Sequence, residues 1–488
     1  MWIKLGEKER AKFLELLHFP RKDDLLLALR ELSGYEDVYI VGGALRDFFF
    51  DKKVVDLDLT IKGEPQRISQ FLAQRTGYTP VTLSEEFGIF RLSKDKHNID
   101  ITPYKGGTIE EDLAERDFTM NSLALPLSNL FEGPFCIYDP LGGYKDLKSS
   151  IIRTIGEKNL EDDPLRILRG YRFLAQGYGE IEHVTRGYFR KHKEALTRVA
   201  PERISMELKL ILLTSQANLA FKVMDEDGLL EVIFPEIKPS RGLPQPTFHH
   251  LDVLSHSLEA LRAAELILES PEAYLNLEIT PSQLMEEDTL VSVKLASFLH
   301  DLGKGFTFER GDDRITFYGH EKTGASLWEK RGELLRFKNE IIEKVSRLIK
   351  NHMRPCHLLN EWQEGKLTLR AKRNLIKDQP DLYELWVVSL ADSLASKGPD
   401  KEPDYEEKLN HFFHDLVHLK EELERIFKRE RILTGKDLLG LGFKPGPIFK
   451  VILEEVELKF LEGAIRTKEE ALDYVLKRFS LELTDATT

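Results

Sequence analysis

The sequence predicts a multidomain protein, with an α+β head followed by an all-α remainder. Three observations lead there. The chain runs to 488 residues, well past the ~250–300 at which single cores stop growing. Before residue 105, short apolar or alternating runs read as strands: Val38 to Val41, Val54 to Ile61, Gly88 to Leu92 and Asn98 to Thr102. Beyond residue 150, apolar residues recur at helical spacing, as from Leu160 to Gln176 and from Ala200 to Leu213.

Residues 1–35 read as amphipathic helix, and Pro65 to Arg75 as another helix. Between them lies VGGALRDFFFDKKVVDLDLT, Val41 to Thr60. Gly42 and Gly43 permit a tight turn whose N–H groups can approach a ligand. A short helix carrying Arg46 and Asp47 follows. In the returning strand, Asp56 and Asp58 are two residues apart and therefore share a face. Paired carboxylates repel unless a cation joins them, and Mg2+ brings phosphates with it. Asp100, in the strand-like NIDIT, supplies a third acid. Three acids beside a Gly-rich turn suit nucleotidyl transfer. A turn plus a solvated strand edge is the plainer alternative.

No run of ~18 apolar residues is present to span a membrane, and MWIKLGEKERAKF lacks a signal-peptide layout. Cys136 and Cys356 are the only cysteines, which excludes a disulfide framework and fits a reducing cytoplasm. The net charge of −13 argues against nucleic acid as a partner, although net charge is a blunt measure and binding needs only a local basic surface. Local basic surface is expected from Arg186, Arg190, Lys191, Lys193 and Arg198, which read either as an RNA contact or as a solvated helix face.

VGGALRD, DLDLT, RDFTMN, IYDPLGGYKDL and DDPLRILRGYRF follow one another through the head and the segment after it. This order resembles the tRNA nucleotidyltransferases and related bacterial poly(A) polymerases, up to about residue 240 and more weakly beyond. The resemblance implies a DNA polymerase beta-like head over 1–150, a helical neck over 151–240, a body over 241–400 and a tail over 401–488. It implies that Asp56 and Asp58 hold Mg2+, with Asp100 as base or third carboxylate. Gly42, Gly43 and Arg46 would face the triphosphate. Arg116, Asp117 and Asn121 would face the ribose, although Glu115 stands where relatives carry a second Arg. Asp163, Arg166 and Arg169 would share one helix face, the first two reading the base edge of CTP or ATP. Asp162 stands where the family has Glu, which bears on how Arg166 is braced. Glu202 and Arg203 match the family's next motif, and DPLGGYKDL reads as structural turn chemistry.

Only 15 residues separate Asp100 from Arg116. In the family this interval normally holds a longer flexible loop tied to the switch to A addition, and members that add only CC lack it. The expectation is a CC-adding enzyme, with complete CCA addition as the alternative and poly(A) polymerase a further one.

Seven of the 14 histidines lie from His249 to His357. His300-Asp301 on an apolar helix, flanked by other histidines, is a metal pattern. The series resembles the HD phosphohydrolases: His256, His300, Asp301 and Asp392 match the core ligands, and His320 and His352 match the extra pair of two-metal members. A divalent metal (Mn, Ni, Mg or Fe) and attack of an activated water on a phosphate ester are implied, with a stand-alone phosphohydrolase as the rival reading. KGPDKEPDYEEK after Gly398 reads as a linker, Leu409 to Arg431 as helix, and Ala486 to Thr488 as loose. Family architecture implies that the tail binds the tRNA elbow. The partners expected are therefore the tRNA 3′ end, CTP and, as the alternative, ATP.

Overall fold

A computed structural model describes residues 1–34, 37–277, 280–311, 315–428 and 432–479. It divides into two compact units, residues 1–235 with 334–337, and residues 236–333 with 338–488.

In the first unit eight strands form one mixed sheet. They are β1 (Trp2–Lys4), β2 (Val38–Val41), β3 (Asp56–Ile61), β4 (Thr79–Ser84), β5 (Ile89–Lys94), β6 (His97–Pro103), β7 (Ala124–Pro126) and β8 (Cys136–Tyr138), ordered β1-β8-β7-β2-β3-β6-β5-β4. β2 and β3 are antiparallel around the helix Gly43–Phe49, and β3 runs parallel to β6. Ile40, Leu57, Leu59, Leu92, Ile99 and Ile101 are fully buried along these strands. That burial fixes the register, because a one-residue slip would drive the intervening acids into the core.

The N-terminus differs from expectation. Instead of continuous helix, β1 pairs with β8 and two helices follow, Glu7–Leu16 and Lys22–Leu32. The Met1 ammonium donates to the Asp139 carbonyl. β3 begins at Asp56 rather than Val54, which makes an isolated bridge with Leu17. The expected helix from Pro65 is present as Pro65–Thr76.

The DPLGGYKDL turn clamps the RDFT segment. The buried Asp139 carboxylate accepts from the N–H groups of Leu141, Gly143 and Tyr144. Asp146 accepts from Thr119 Oγ1 at 2.7 Å and from Arg153. A Cβ at Gly143 would stand 2.0 Å from the Thr119 carbonyl oxygen.

The expected basic face between 186 and 198 is largely tied up in ion pairs, although Arg190, Lys191 and Arg198 stay exposed. Arg186 and Arg190 both donate to Asp227, which is 1 % exposed and also accepts from Tyr171 Oη. Lys193 donates to the Asp227 carbonyl, and Lys191 pairs with Glu157. These cations join the helices His183–His192 and Ala217–Glu226 to Leu165–Ala175.

The second unit is helical apart from a two-strand pair, Glu309–Arg310 with Ile315–Thr316, among the described residues. The segment expected as a linker is tied down. Gly398 N–H donates to the Phe248 carbonyl, and Lys401 donates to the carbonyls of Ser393 and Ser396. The helix after it, Tyr405–Lys428, packs on Leu382–Ala395, with Trp386 stacked on Phe413 at 4.9 Å and bonded to Asn410. Residues 429–431 of the expected helix, and Ala486 to Thr488, lie outside the described residues. Leu438, Phe443, Ile452, Val456 and Val475 form a separate small core in the tail.

Gly143→Ala is expected to lower stability by about 1–3 kcal/mol, since the added methyl must displace backbone. A urea or thermal unfolding curve checks this, and an unchanged midpoint would show that the turn yields.

Candidate functional site

Asp58, Asp100 and Arg91 lie in one row across three neighbouring strands, because Asp58 pairs with Asp100 on β6 and Asp100 with Arg91 on β5. Directly paired residues project to the same face. Arg91 forks onto Asp100, with Nε to Oδ1 and Nη2 to Oδ2 both at 2.7 Å. Asp56 is exposed and accepts from Asn98 Nδ2 at 3.1 Å. Gly42 has φ 71°, and a Cβ there would meet Asp58 Oδ2 at 2.4 Å. A side chain is thus excluded where the turn touches the carboxylate. Burial pushes the Asp58 carboxyl up, reinforced by Asp100 and Asp56 and opposed by Arg116 and the Gly43 N–H.

This crowding of acids fits a divalent cation. The side chains of Asp56, Asp58 and Asp100 do not, however, form one of the close three-ligand groups among the described residues. Arg91 engages both Asp100 oxygens.

A second network joins the RDFT segment to the neck. Asp117 accepts from Phe118 N–H and Asn121 Nδ2, each at 2.8 Å, and from Arg169 Nε at 2.8 Å. Burial works against the Asp117 carboxylate, but Arg169 and Asn121 hold it well below the usual range. Arg46 donates to Asn121 Oδ1 at 3.0 Å and to Asp47, and its guanidinium lies over Tyr178 at 4.3 Å. Arg46, Asp117, Asn121 and Arg169 are thereby brought together. Arg116 pairs with Asp112 at 3.0 Å and faces Gly42.

Asp163 does not share a helix face with Arg166 and Arg169. It is extended (φ −142°, ψ 93°) and precedes the helix Leu165–Ala175, accepting from Leu165 N–H and Arg203. Arg166 is braced by three backbone carbonyls, those of Glu115 (2.6 Å), Asn159 (3.0 Å) and Arg116 (3.3 Å), and not by Asp162. Sequence reasoning missed Arg91 and also Glu207, a buried carboxylate beside Arg172 at 3.2 Å with one oxygen unbonded. The alternation that exposed Asp100 held a signal for Arg91, once β5 is paired with β6.

In the second unit all six expected HD residues converge. His256 Nε2 lies 3.2 Å from His300 Nε2 and 3.0 Å from Asp392 Oδ1. His320 Nε2 lies 3.3 Å from His352 Nε2 and 3.4 Å from Asp301 Oδ1. Asp301 sits between the two groups, with Oδ2 3.2 Å from His300. His249 joins His256 and Asp392 in a further close group. Lys304 donates to Asp301 Oδ2 at 2.6 Å. Neither His249 nor Lys304 was singled out from the sequence.

The donor chemistry fits metal. The Nδ1 atoms of His300, His320 and His352 each face a carbonyl, of Ser297, Phe317 and Ile349. A carbonyl only accepts, so Nδ1 carries the ring proton and Nε2 points inward. Asp301 Oδ1 is buried without a hydrogen-bond donor. Burial opposes protonation of His300, yet Asp301 and Asp392 raise it to about 10, so a cation bound here displaces a proton. Burial, with His300 and His320, lowers His352 to about 3. A cavity of about 910 Å3 opens on Asp301, His320 and Asp392, and its other walls include Lys304, Lys350 and Arg354.

Asp301→Asn is expected to weaken Mn2+ binding by more than the roughly 10–100-fold that loss of an outer-shell partner costs. Calorimetric titration measures it, with circular dichroism to verify the fold.

The comparisons with known proteins agree with this layout. Residues 38–153 match the "Poly A polymerase head domain", residues 180–240 the "Probable RNA and SrmB- binding site of polymerase A", and residues 253–397 the "HD domain". An A-adding tRNA nucleotidyltransferase of Deinococcus radiodurans is 31 % identical over 89 % of this chain and 94 % of its own length. A CC-adding tRNA nucleotidyltransferase of Thermus thermophilus is 30 % identical, over 90 % and 93 %. The structure of a CCA-adding enzyme in complex with ATP superposes with a TM-score of 0.65 at 20 % identity, covering 98 % of this chain and 99 % of that one, which shows the shared fold.

Proposed function

The chain belongs to the tRNA nucleotidyltransferase and poly(A) polymerase family, with an HD domain in its second half, and from that premise we propose that it is the CC-adding member, extending tRNA by two C residues from CTP. The observation that carries the reading is the interval from Asp100 to Arg116. β6 runs on to Pro103, and the helix Ile109–Ala114 is closed at its start by a Thr108–Glu111 capping box. Only a short turn remains between them, with no length for a long mobile loop.

In the proposed reaction the tRNA 3′-hydroxyl attacks the α-phosphorus of CTP. A new phosphodiester forms, the α–β bridge breaks, and pyrophosphate leaves. Asp56 and Asp58 would hold Mg2+, which lowers the pKa of the attacking hydroxyl and neutralises the triphosphate. Asp100 accepts the hydroxyl proton. The N–H groups after Gly42 face the phosphates. Arg46, fixed by Asp47 and Asn121, orients that turn. Arg116 lies on the ribose side. Asp163 accepts from the exocyclic amine of cytosine. The Arg166 donors not engaged by carbonyls, Nε and one of Nη2, reach its N3 and O2. Uracil and guanine present a carbonyl where Asp163 needs a donor.

The HD group supports a second activity, hydrolysis of phosphate esters with Mn, Ni, Mg or Fe. Two unpaired cysteines and a tRNA substrate fit a cytoplasmic setting.

A second reading is A-only addition, favoured by the Deinococcus relative, which matches as well as the CC-adding one. Labelled CTP and ATP, offered to one transcript ending at the discriminator base and one ending in CC, separate the readings. CTP entering the first with ATP failing on the second is the expected result. ATP entering only the CC transcript means A addition, and both reactions together mean complete CCA synthesis. Asp56→Ala should abolish incorporation while leaving phosphatase activity intact.

A further inference from the structure

The third carboxylate is not at liberty. Both Asp100 oxygens are taken by the Arg91 fork, and among the described residues Asp100 is the hydrogen-bond partner of the Arg91 side chain. The pair stands at the open edge of the site, with side chains 38 % and 23 % exposed. The bidentate fork is stronger than an ordinary surface ion pair, but solvent at the guanidinium screens it and lets a second anion reach it. Its guanidinium presents a planar fork that fits a phosphate as well as a carboxylate.

The same row of the sheet determines who competes for it. Arg91 lies directly beyond Asp100, on the side away from Asp58. A 3′-hydroxyl placed for Asp100 carries its own phosphodiester one nucleotide's length away. That phosphate is an anion able to compete with Asp100 for the guanidinium fork.

We propose that Arg91 is an acceptor-sensing positioning residue: it keeps Asp100 ion-paired until the terminal phosphodiester of the tRNA draws the guanidinium away, which frees Asp100 for the 3′-hydroxyl. This rests on the reading of Asp100 as the third carboxylate. The device protects bound CTP. With no acceptor, water is the only nucleophile, and its attack would bond its oxygen to the α-phosphorus, break the α–β bridge, release CMP and pyrophosphate, and deliver its protons to Asp100 and solvent. While Arg91 stays on Asp100, that carboxylate is not available as the base for that step.

The test uses the full chain carrying Asp301→Asn, so that the HD site adds no hydrolysis. Arg91→Gln and Arg91→Lys are compared with Arg91, using CTP and a transcript ending at the discriminator base. Arg91→Gln should raise the KM for tRNA roughly 10–100-fold, the loss of one charged contact, while the KM for CTP stays within about twofold. Pyrophosphate release without tRNA should rise several-fold, and Arg91→Lys should recover part of the tRNA affinity. An unchanged tRNA KM overturns the proposal, as does a lower kcat with both KM values unaltered, which would mark a purely structural strut. Asp100→Asn with full incorporation would instead remove the reading of Asp100 itself, and the two failures are told apart by which variant is silent.

Discussion

Repulsion among carboxylates crowded on one face of the β3–β6 pair is the constraint on which the head is built. Strand alternation puts Leu57 and Leu59 in the core and Asp56 and Asp58 opposite, while parallel pairing adds Asp100 beside Asp58. None of these acids can move without breaking the register. Positive or neutral groups must therefore come to them. Gly42 yields its side-chain space, the Gly43 N–H points at Asp58, and Arg91 and Arg116 approach from either side. A divalent cation would complete the balance.

The neck is attached through charge rather than apolar packing alone. Asp117 takes Arg169 from the helix Leu165–Ala175, and Arg46 reaches from the Gly-Gly turn to Asn121 and the Tyr178 ring. Buried ion pairs of this kind add little net stability, because desolvation offsets their attraction, but they permit few geometries. The helix Leu165–Ala175 is thereby oriented by residues of the Gly-Gly turn and the RDFT segment. Arg166 is oriented further by carbonyls, which no substitution of a side chain can remove.

Much of this was legible in the residues. The two-residue spacing of Asp56 and Asp58 declared their shared face, and the histidine series declared the HD group, because both rest on local periodicity or on a rare residue type. What failed depended on distant partners. β1, β7 and β8 are three residues each, too short to alternate, and β4 is an exposed edge with no buried stripe. The basic run from Arg186 looked free because Asp227, its buried acceptor, lies about forty residues away in sequence. KGPDKEPDYEEK looked like a linker because its polar groups bond backbone carbonyls that composition does not reveal.

The HD group shows how ordinary helix ends build a candidate metal site. His300 follows the helix Glu287–Leu299 and His352 follows Asn339–Asn351. The last turn of any helix leaves carbonyls without intrahelical donors. Each histidine turns Nδ1 onto the carbonyl three residues before it, which satisfies that carbonyl and fixes the tautomer with Nε2 facing inward. His300 also lies at the negative pole of its helix's macrodipole, which favours a cation. His320 reaches the same tautomer from the start of a helix, through the Phe317 carbonyl. The ring nitrogens then approach each other with lone pairs opposed, an arrangement that repels until a cation or a proton lies between them. Backbone carbonyls thus select the tautomer, which turns the Nε2 lone pairs inward. Asp301, flanked by both histidine pairs and held by Lys304, supplies the charge that a divalent ion needs.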